Sequence, residues 1–169
     1  MIELRTTQLI LRPLLSGAAA LLPGDRVGAA TLVGASLDDD WPLPDILELM
    51  PIFAARSEAE APFGAWVIIE AESDTVVGDL GFIRPPDEAG EIEVGYSVVP
   101  GRRRRGYATE ALAALVTWAF AQRGVTAILA GTEPDNSASQ RVLRSAGFEV
   151  TAATPAEIRW RLEPEPQGE

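Results

Sequence analysis

The sequence predicts a mixed α/β domain of the α+β type, with a mostly antiparallel central sheet of about seven strands flanked by helices. Three observations predict it. Residues 65–99 contain three strand-length apolar runs divided by two turn-rich separators. The segments opening at Tyr107 and Ser137 carry apolar residues at helical spacing, and short strand-like runs alternate with these helices toward the C-terminus. At 169 residues and 47% hydrophobic, the chain is expected to build one domain over 1–162 around a sizeable core.

Leu9-Ile10-Leu11-Arg12-Pro13-Leu14 reads as a first strand that stops at a proline. From Ser16 to Gly34 alanine and leucine dominate, and Pro23-Gly24 divides the run into two short helices. Asp38 to Pro44 is a turn-rich loop, after which Asp45 is positioned to cap a helix carrying Ile46, Leu47, Leu49, Met50 and Phe53, kinked or ended by Pro51. Strands are expected at 65–71, 76–84 and 91–99, with Glu72-Ser73-Asp74 and 85–90 as hairpin turns. The next helix presents Leu112, Leu115, Val116, Ala119 and Phe120 on one face and is expected to end at Gly124. A short buried strand at 125–131 follows, then a helix opened by Asp135-Asn136-Ser137 and closed by Gly147, then strands at 148–150 and 158–162. The acidic tail 163–169 has no core-forming residue and is expected to be flexible.

Composition removes whole classes of chemistry. There is no histidine, cysteine or lysine, so all 14 basic residues are arginine. Serine–histidine and cysteine–histidine nucleophiles, disulfides, histidine or thiolate metal sites and lysine Schiff bases are excluded. Acid–base work falls to Glu, Asp, Tyr, Ser or water. A net charge of −11 disfavours a nucleic-acid-binding face, and no apolar run is long enough to span a bilayer. The N-terminus lacks the regions of a signal peptide, so a cytoplasmic protein without membrane or nucleic-acid partners is expected.

Against that acidic background stands Val98-Val99-Pro100-Gly101-Arg102-Arg103-Arg104-Arg105-Gly106-Tyr107-Ala108-Thr109-Glu110, where a strand ends and a long helix begins. Four arginines ahead of the positive end of a helix dipole are mutually unfavourable, which calls for a negative partner. The free amides of the first helical turn point outward as donors, and Gly106 and Ala108 leave room for a ligand to approach the backbone. A pyrophosphate fits that cradle.

Alternation along 91–99 puts Ile92, Val94, Tyr96 and Val98 on one strand face and Glu91, Glu93, Gly95 and Ser97 on the other, where they are expected to line a cleft. Trp66, Trp118 and Trp160 are expected in the core. Trp41, in a proline-rich loop, is the candidate for a substrate-contacting wall.

Arg103-Arg104-Arg105-Gly106-Tyr107-Ala108 matches a signature of Arg or Gln, two residues, Gly, one residue, then Gly or Ala. With Leu9 to Leu14, Glu93-Val94-Gly95-Tyr96, Thr109 to Leu112, Asn136 to Leu143 and Ala146-Gly147-Phe148, nearly the whole chain resembles the GCN5-related N-acetyltransferase (GNAT) superfamily and its ribosomal-protein N-terminal acetyltransferase subgroup. The resemblance implies an acyltransferase of the GNAT fold that uses acetyl-coenzyme A, without a metal, to acetylate a primary amine on a protein N-terminus or small molecule. It assigns the cofactor to Val98, Val99, Arg103, Arg104, Arg105, Gly106, Tyr107, Ala108, Thr109, Asn136 and Ser139. Glu93 is the implied base, with Glu91 as close competitor and substrate contact, and Ser139 or a water is the implied acid. Two positions depart from the pattern: Arg104 stands where relatives often have glycine, and Leu143 stands where many carry the acidic tyrosine. Dimers are common among such proteins. The rival readings are a non-catalytic coenzyme A-binding sensor or assembly subunit and, less in keeping with the charge, a nucleic-acid module.

Overall fold

The computed structural model describes residues 2–166, so the end of the acidic tail lies outside the described residues. Its strands are β1 (Leu4–Arg5), β2 (Leu9–Pro13), β3 (Ser36–Leu37), β4 (Ala65–Glu70), β5 (Thr75–Phe82), β6 (Glu91–Val98), β7 (Ala127–Thr132), β8 (Glu149–Ala153) and β9 (Ile158–Leu162). Its helices are α1 (Ser16–Leu21), α2 (Arg26–Val33), α3 (Pro44–Ala54), α4 (Tyr107–Phe120) and α5 (Ser137–Ser145). One sheet in the order β1-β2-β4-β5-β6-β7-β9-β8 joins them, with β3 pairing parallel to β5 off that path. The expected seven strands are the longer ones, and β1 and β3 are added pairs of two residues each.

Strands β4 and β5 are buried along nearly their whole length because the sheet is covered on both faces, which their continuous apolar runs require. Trp66, Ile68 and Ile69 of β4, Leu80 and Phe82 of β5 and Leu112 and Leu115 of α4 lie in one apolar cluster. Trp66 and Trp160 are buried as expected, and Trp118 packs edge-on against Trp66 with ring centroids 5.1 Å apart.

Several boundaries differ from the sequence reading. Pro51 lies inside the last turn of α3 without ending it, and Pro44 occupies the first turn, where a missing N–H costs nothing. Helix α4 stops at Phe120 rather than running to Gly124, whose φ of +91° belongs to the turn that follows. Trp41 is corrected outright: it is 1% exposed, in the core and not on a cleft wall.

The site is positioned by a change of pairing along β6. It runs antiparallel to β5 from Val94 to Val98 but parallel to β7 only over Glu91–Glu93. Beyond Glu93, β6 and β7 have no paired residues, and the sheet opens there. Val99 donates its N–H to Val77 at 2.9 Å on the β5 side. Alternation therefore turns the backbone groups of Val94, Tyr96 and Val98 toward the opening.

Candidate active site

The arginine loop is held from inside the protein. Glu70, at the end of β4 and 6% exposed, receives Arg102 at 2.6 Å and Ser73 at 2.5 Å on one carboxylate oxygen. Its other oxygen receives Arg105 at 3.2 Å and the Tyr107 hydroxyl at 2.5 Å. Ser73 and Tyr107, with Arg102, hold the Glu70 carboxyl down to about 2. Asp38 adds a second acid 3.4 Å from Arg102. The negative partner that the arginines call for is thus supplied in part by the chain itself. The Tyr107 side chain is buried against Glu70, so its backbone N–H is the group left for a ligand.

The cradle remains open for an anion. Glu110 N–H to Gly106 C=O is the first bond of α4, so the amides of Tyr107, Ala108 and Thr109 precede the intrahelical ladder. Gly106 has φ +77°, and a Cβ there would meet no atom within 4 Å, so open space adjoins those amides. Arg103 donates through Nε to the Val98 carbonyl at 2.8 Å. Arg104 makes no hydrogen bond or ion pair among the described residues and adopts φ +64°, the left-handed conformation that suits the glycine relatives often carry there. These features fit a pyrophosphate. Val98 turns its amide toward the opening while its carbonyl accepts from Arg103, whereas the Val99 amide is committed to Val77.

Tyr96 crosses from β6 to α5. Its hydroxyl donates to the Ser139 carbonyl at 3.1 Å and lies 2.7 Å from Ser139 Oγ, and burial pushes its pKa up. Sequence reasoning did not assign Tyr96 a part in this pair, although the Glu-Val-Gly-Tyr motif contains it. Asn136 is the N-cap of α5, its side-chain oxygen accepting from the Ser139 N–H at 3.1 Å.

The other face of β6 borders a cavity of about 340 Å³. Glu93, Gly95 and Ser97 line it together with Val94 and Tyr96 of the alternate set. Glu93 pairs with Arg159 at 2.7 Å, leaving its second oxygen without a partner among the described residues. Glu91 is not among the residues lining this cavity and pairs with Arg161 at 2.5 Å. Gly95 has nothing within 4 Å of where a Cβ would stand, so the stretch between Glu93 and Ser97 is open.

Asp79 is the residue that the sequence reading missed. It stands opposite Ser97 in the β5–β6 register, is 5% exposed and lines the cavity. One oxygen accepts from Trp41 Nε1 at 2.8 Å and Ser97 Oγ at 3.2 Å. Burial pushes its carboxyl up to about 6. The available signal was a lone aspartate inside Val76-Val77-Gly78-Asp79-Leu80-Gly81-Phe82, an otherwise uncharged strand. Trp41, rather than forming a substrate wall, braces Asp79 from behind.

Residues 8–149 match the family model described as Acetyltransferase (GNAT) domain. The uncharacterized N-acetyltransferase YjdG of Bacillus subtilis (strain 168) is 34% identical over 119 residues, covering 69% of this chain and 71% of that one. Among solved structures, the acetyltransferase from Agrobacterium tumefaciens str. C58 is 25% identical with a TM-score of 0.65, covering 97% of this chain and 95% of that one. RimL, a ribosomal L7/L12 alpha-N-protein acetyltransferase in complex with coenzyme A, shares the fold at a TM-score of 0.68 and 15% identity, covering 96% of this chain and 98% of its own.

Proposed function

We propose, from the premise that this chain belongs to the GNAT acetyltransferase family and is an N-acetyltransferase, that it transfers acetyl from acetyl-coenzyme A to a cationic primary amine on an apolar stem. The observation that carries the acceptor class is the cavity lining. Asp45, Asp79, Glu93 and Glu157 contribute carboxylates, the last two paired with Arg159 just behind the lining, while Phe53 and Phe82 are among the apolar contributors. Such a lining attracts an ammonium and repels an amine with an adjacent carboxylate. Peptide N-termini and small alkylamines satisfy this chemistry, and free α-amino acids do not.

The amides of residues 107–109 would hold the pyrophosphate, with Arg103 and Arg104 as the nearest cations not tied to Glu70. Backbone groups of Val98 would pair with the pantetheine arm and orient the acetyl carbonyl in the opening between β6 and β7. Ser139, positioned by Tyr96, would donate to the sulfur as it leaves. Glu93, at the partly exposed edge of the cavity, would draw in the ammonium and receive its proton by way of water. No covalent enzyme intermediate is needed, in keeping with a chain without Cys, His or Lys.

The test is an acceptor screen with acetyl-coenzyme A, following free thiol release. Alkylamines and amino-acid amides should be acetylated in preference to the corresponding free amino acids. Thioester binding without transfer to any amine would favour the non-catalytic sensor, and preference for the free amino acids would overturn the cationic-acceptor assignment.

A further inference from the structure

We infer that Asp79 is a catalytic residue, the carboxylate that binds the acceptor's ammonium beside the reacting carbonyl and takes its proton. This rests on the acetyl-transfer reading and names a group within its site that the sequence resemblance does not mark.

The argument begins with a free oxygen. Trp41 and Ser97 both bond Asp79 Oδ2, and Oδ1 has no partner among the described residues. No fully buried side-chain polar atom among those residues is left unsatisfied, so Oδ1 reaches the cavity that Asp79 lines. A buried carboxylate, braced on one oxygen and open on the other, is built to receive a donor.

Position favours Asp79 over Glu93 for the first proton transfer. Asp79 pairs across the strands with Ser97, adjacent to Val98, whose backbone faces the opening where the thioester would lie. Glu93 is four residues farther back, about 13 Å along the strand. Its Oε1 is also taken by Arg159. Between the two, Gly95 leaves the cavity surface without a side chain. Water in that gap gives a path by which a proton on Asp79 reaches Glu93 and solvent.

The step balances simply. One proton of the ammonium passes to Asp79, and the nitrogen lone pair forms the C–N bond as the C–S bond breaks. The second proton leaves with the coenzyme A thiol through Ser139. Trp41 from the loop before α3 and Ser97 from β6 bond Asp79, and Asp45 from α3, Tyr96 and Glu93 from β6 and Glu157 from the loop before β9 line the same cavity, with Arg159 of β9 paired to the last two carboxylates. An arriving ammonium would lower the Asp79 pKa.

Thiol release is measured with n-hexylamine as acceptor over pH 5 to 9, alongside coenzyme A binding by calorimetry. Wild type should lose kcat/KM as pH falls through about 6, where Asp79 protonates. Asp79→Asn retains an acceptor oxygen for Trp41. It should bind coenzyme A normally, lose roughly a hundredfold in kcat/KM at pH 7 and lose the acid limb. Ser97→Ala removes one hydrogen bond that lowers the Asp79 pKa, so it should move the acid limb to higher pH. An Asp79→Asn enzyme that folds, keeps its turnover and keeps the acid limb overturns the assignment alone. If Asp79→Asn fails to fold, an acid limb unmoved in Ser97→Ala overturns it. Wild type that transfers acetyl to no amine in the screen overturns the acetyl-transfer reading, and this inference falls with it.

Discussion

Replacing Glu70 with glutamine tests how the arginine loop is held. The side chain keeps its shape but loses the charge that Arg102 and Arg105 meet. In the folded protein the carboxyl is held at about 2 against an ordinary value of 4.5. At about 1.4 kcal/mol per pH unit, this corresponds to roughly 3 kcal/mol favouring the ionised folded state. Because the folded pKa is depressed, the stabilisation is complete above the unfolded value and disappears as pH falls from 4.5 toward 2. Glu70→Gln should therefore lower stability at pH 7 by about 2–3 kcal/mol, a drop in Tm of about 4–12 °C for a chain of this size. Urea unfolding of both proteins at pH 7, 4 and 2 measures it, and the gap between them should close at the lowest pH. A difference below about 0.5 kcal/mol at pH 7, or one that persists undiminished at pH 2, would refute the clamp.

Gly106→Val should leave the domain folded but abolish coenzyme A binding, since a branched side chain at φ +77° distorts the cradle and fills the space beside it; unchanged affinity by calorimetry would place the pyrophosphate elsewhere. Arg104→Gly relieves about 1–2 kcal/mol of left-handed strain but adds about 0.5–1 kcal/mol of unfolded-chain entropy, so stability should be unchanged or rise by up to about 1.5 kcal/mol. The same variant should bind coenzyme A modestly more weakly and with less salt dependence, and an unchanged salt slope would remove Arg104 from the phosphate contacts. Ser139→Ala should slow transfer at saturation more than it weakens coenzyme A binding, and Tyr96→Phe should do the same to a smaller degree. Equal losses in affinity and turnover would make Ser139 a simple cofactor contact.

The features legible in the sequence were those set by local order. Alternation alone put Glu93, Gly95 and Ser97 on one face of β6, and the strand-to-helix junction at Gly106 announced the cradle. The hidden features depended on chain segments distant in sequence. Glu70 meets Arg102 and Arg105 across 32 and 35 residues, so the internal counter-charge had no local mark. Trp41 was read as a cleft wall because its loop is rich in aspartate and proline. The parallel pairing of β3 with β5 draws that loop beneath the sheet and seats the indole on Asp79. Glu91 and Glu93 are equivalent by strand period, and only the cavity's extent and the spacing of Arg159 and Arg161 on β9 separate them.

With the proposed acceptor in the cavity, the bare stretch of β6 at Gly95 would make acceptor size adjustable at a single codon. Its φ lies outside the left-handed range and a Cβ there would touch nothing, so alanine can be accommodated without disturbing the surrounding packing. An added methyl would narrow the open stretch between Glu93 and Ser97, shortening the stem that an amine in the proposed site can carry while leaving the Gly106 junction unchanged. Selection for a different acceptor could therefore act on fit without first compromising folding or thioester binding, a separation that lets one scaffold diversify in small, individually viable steps.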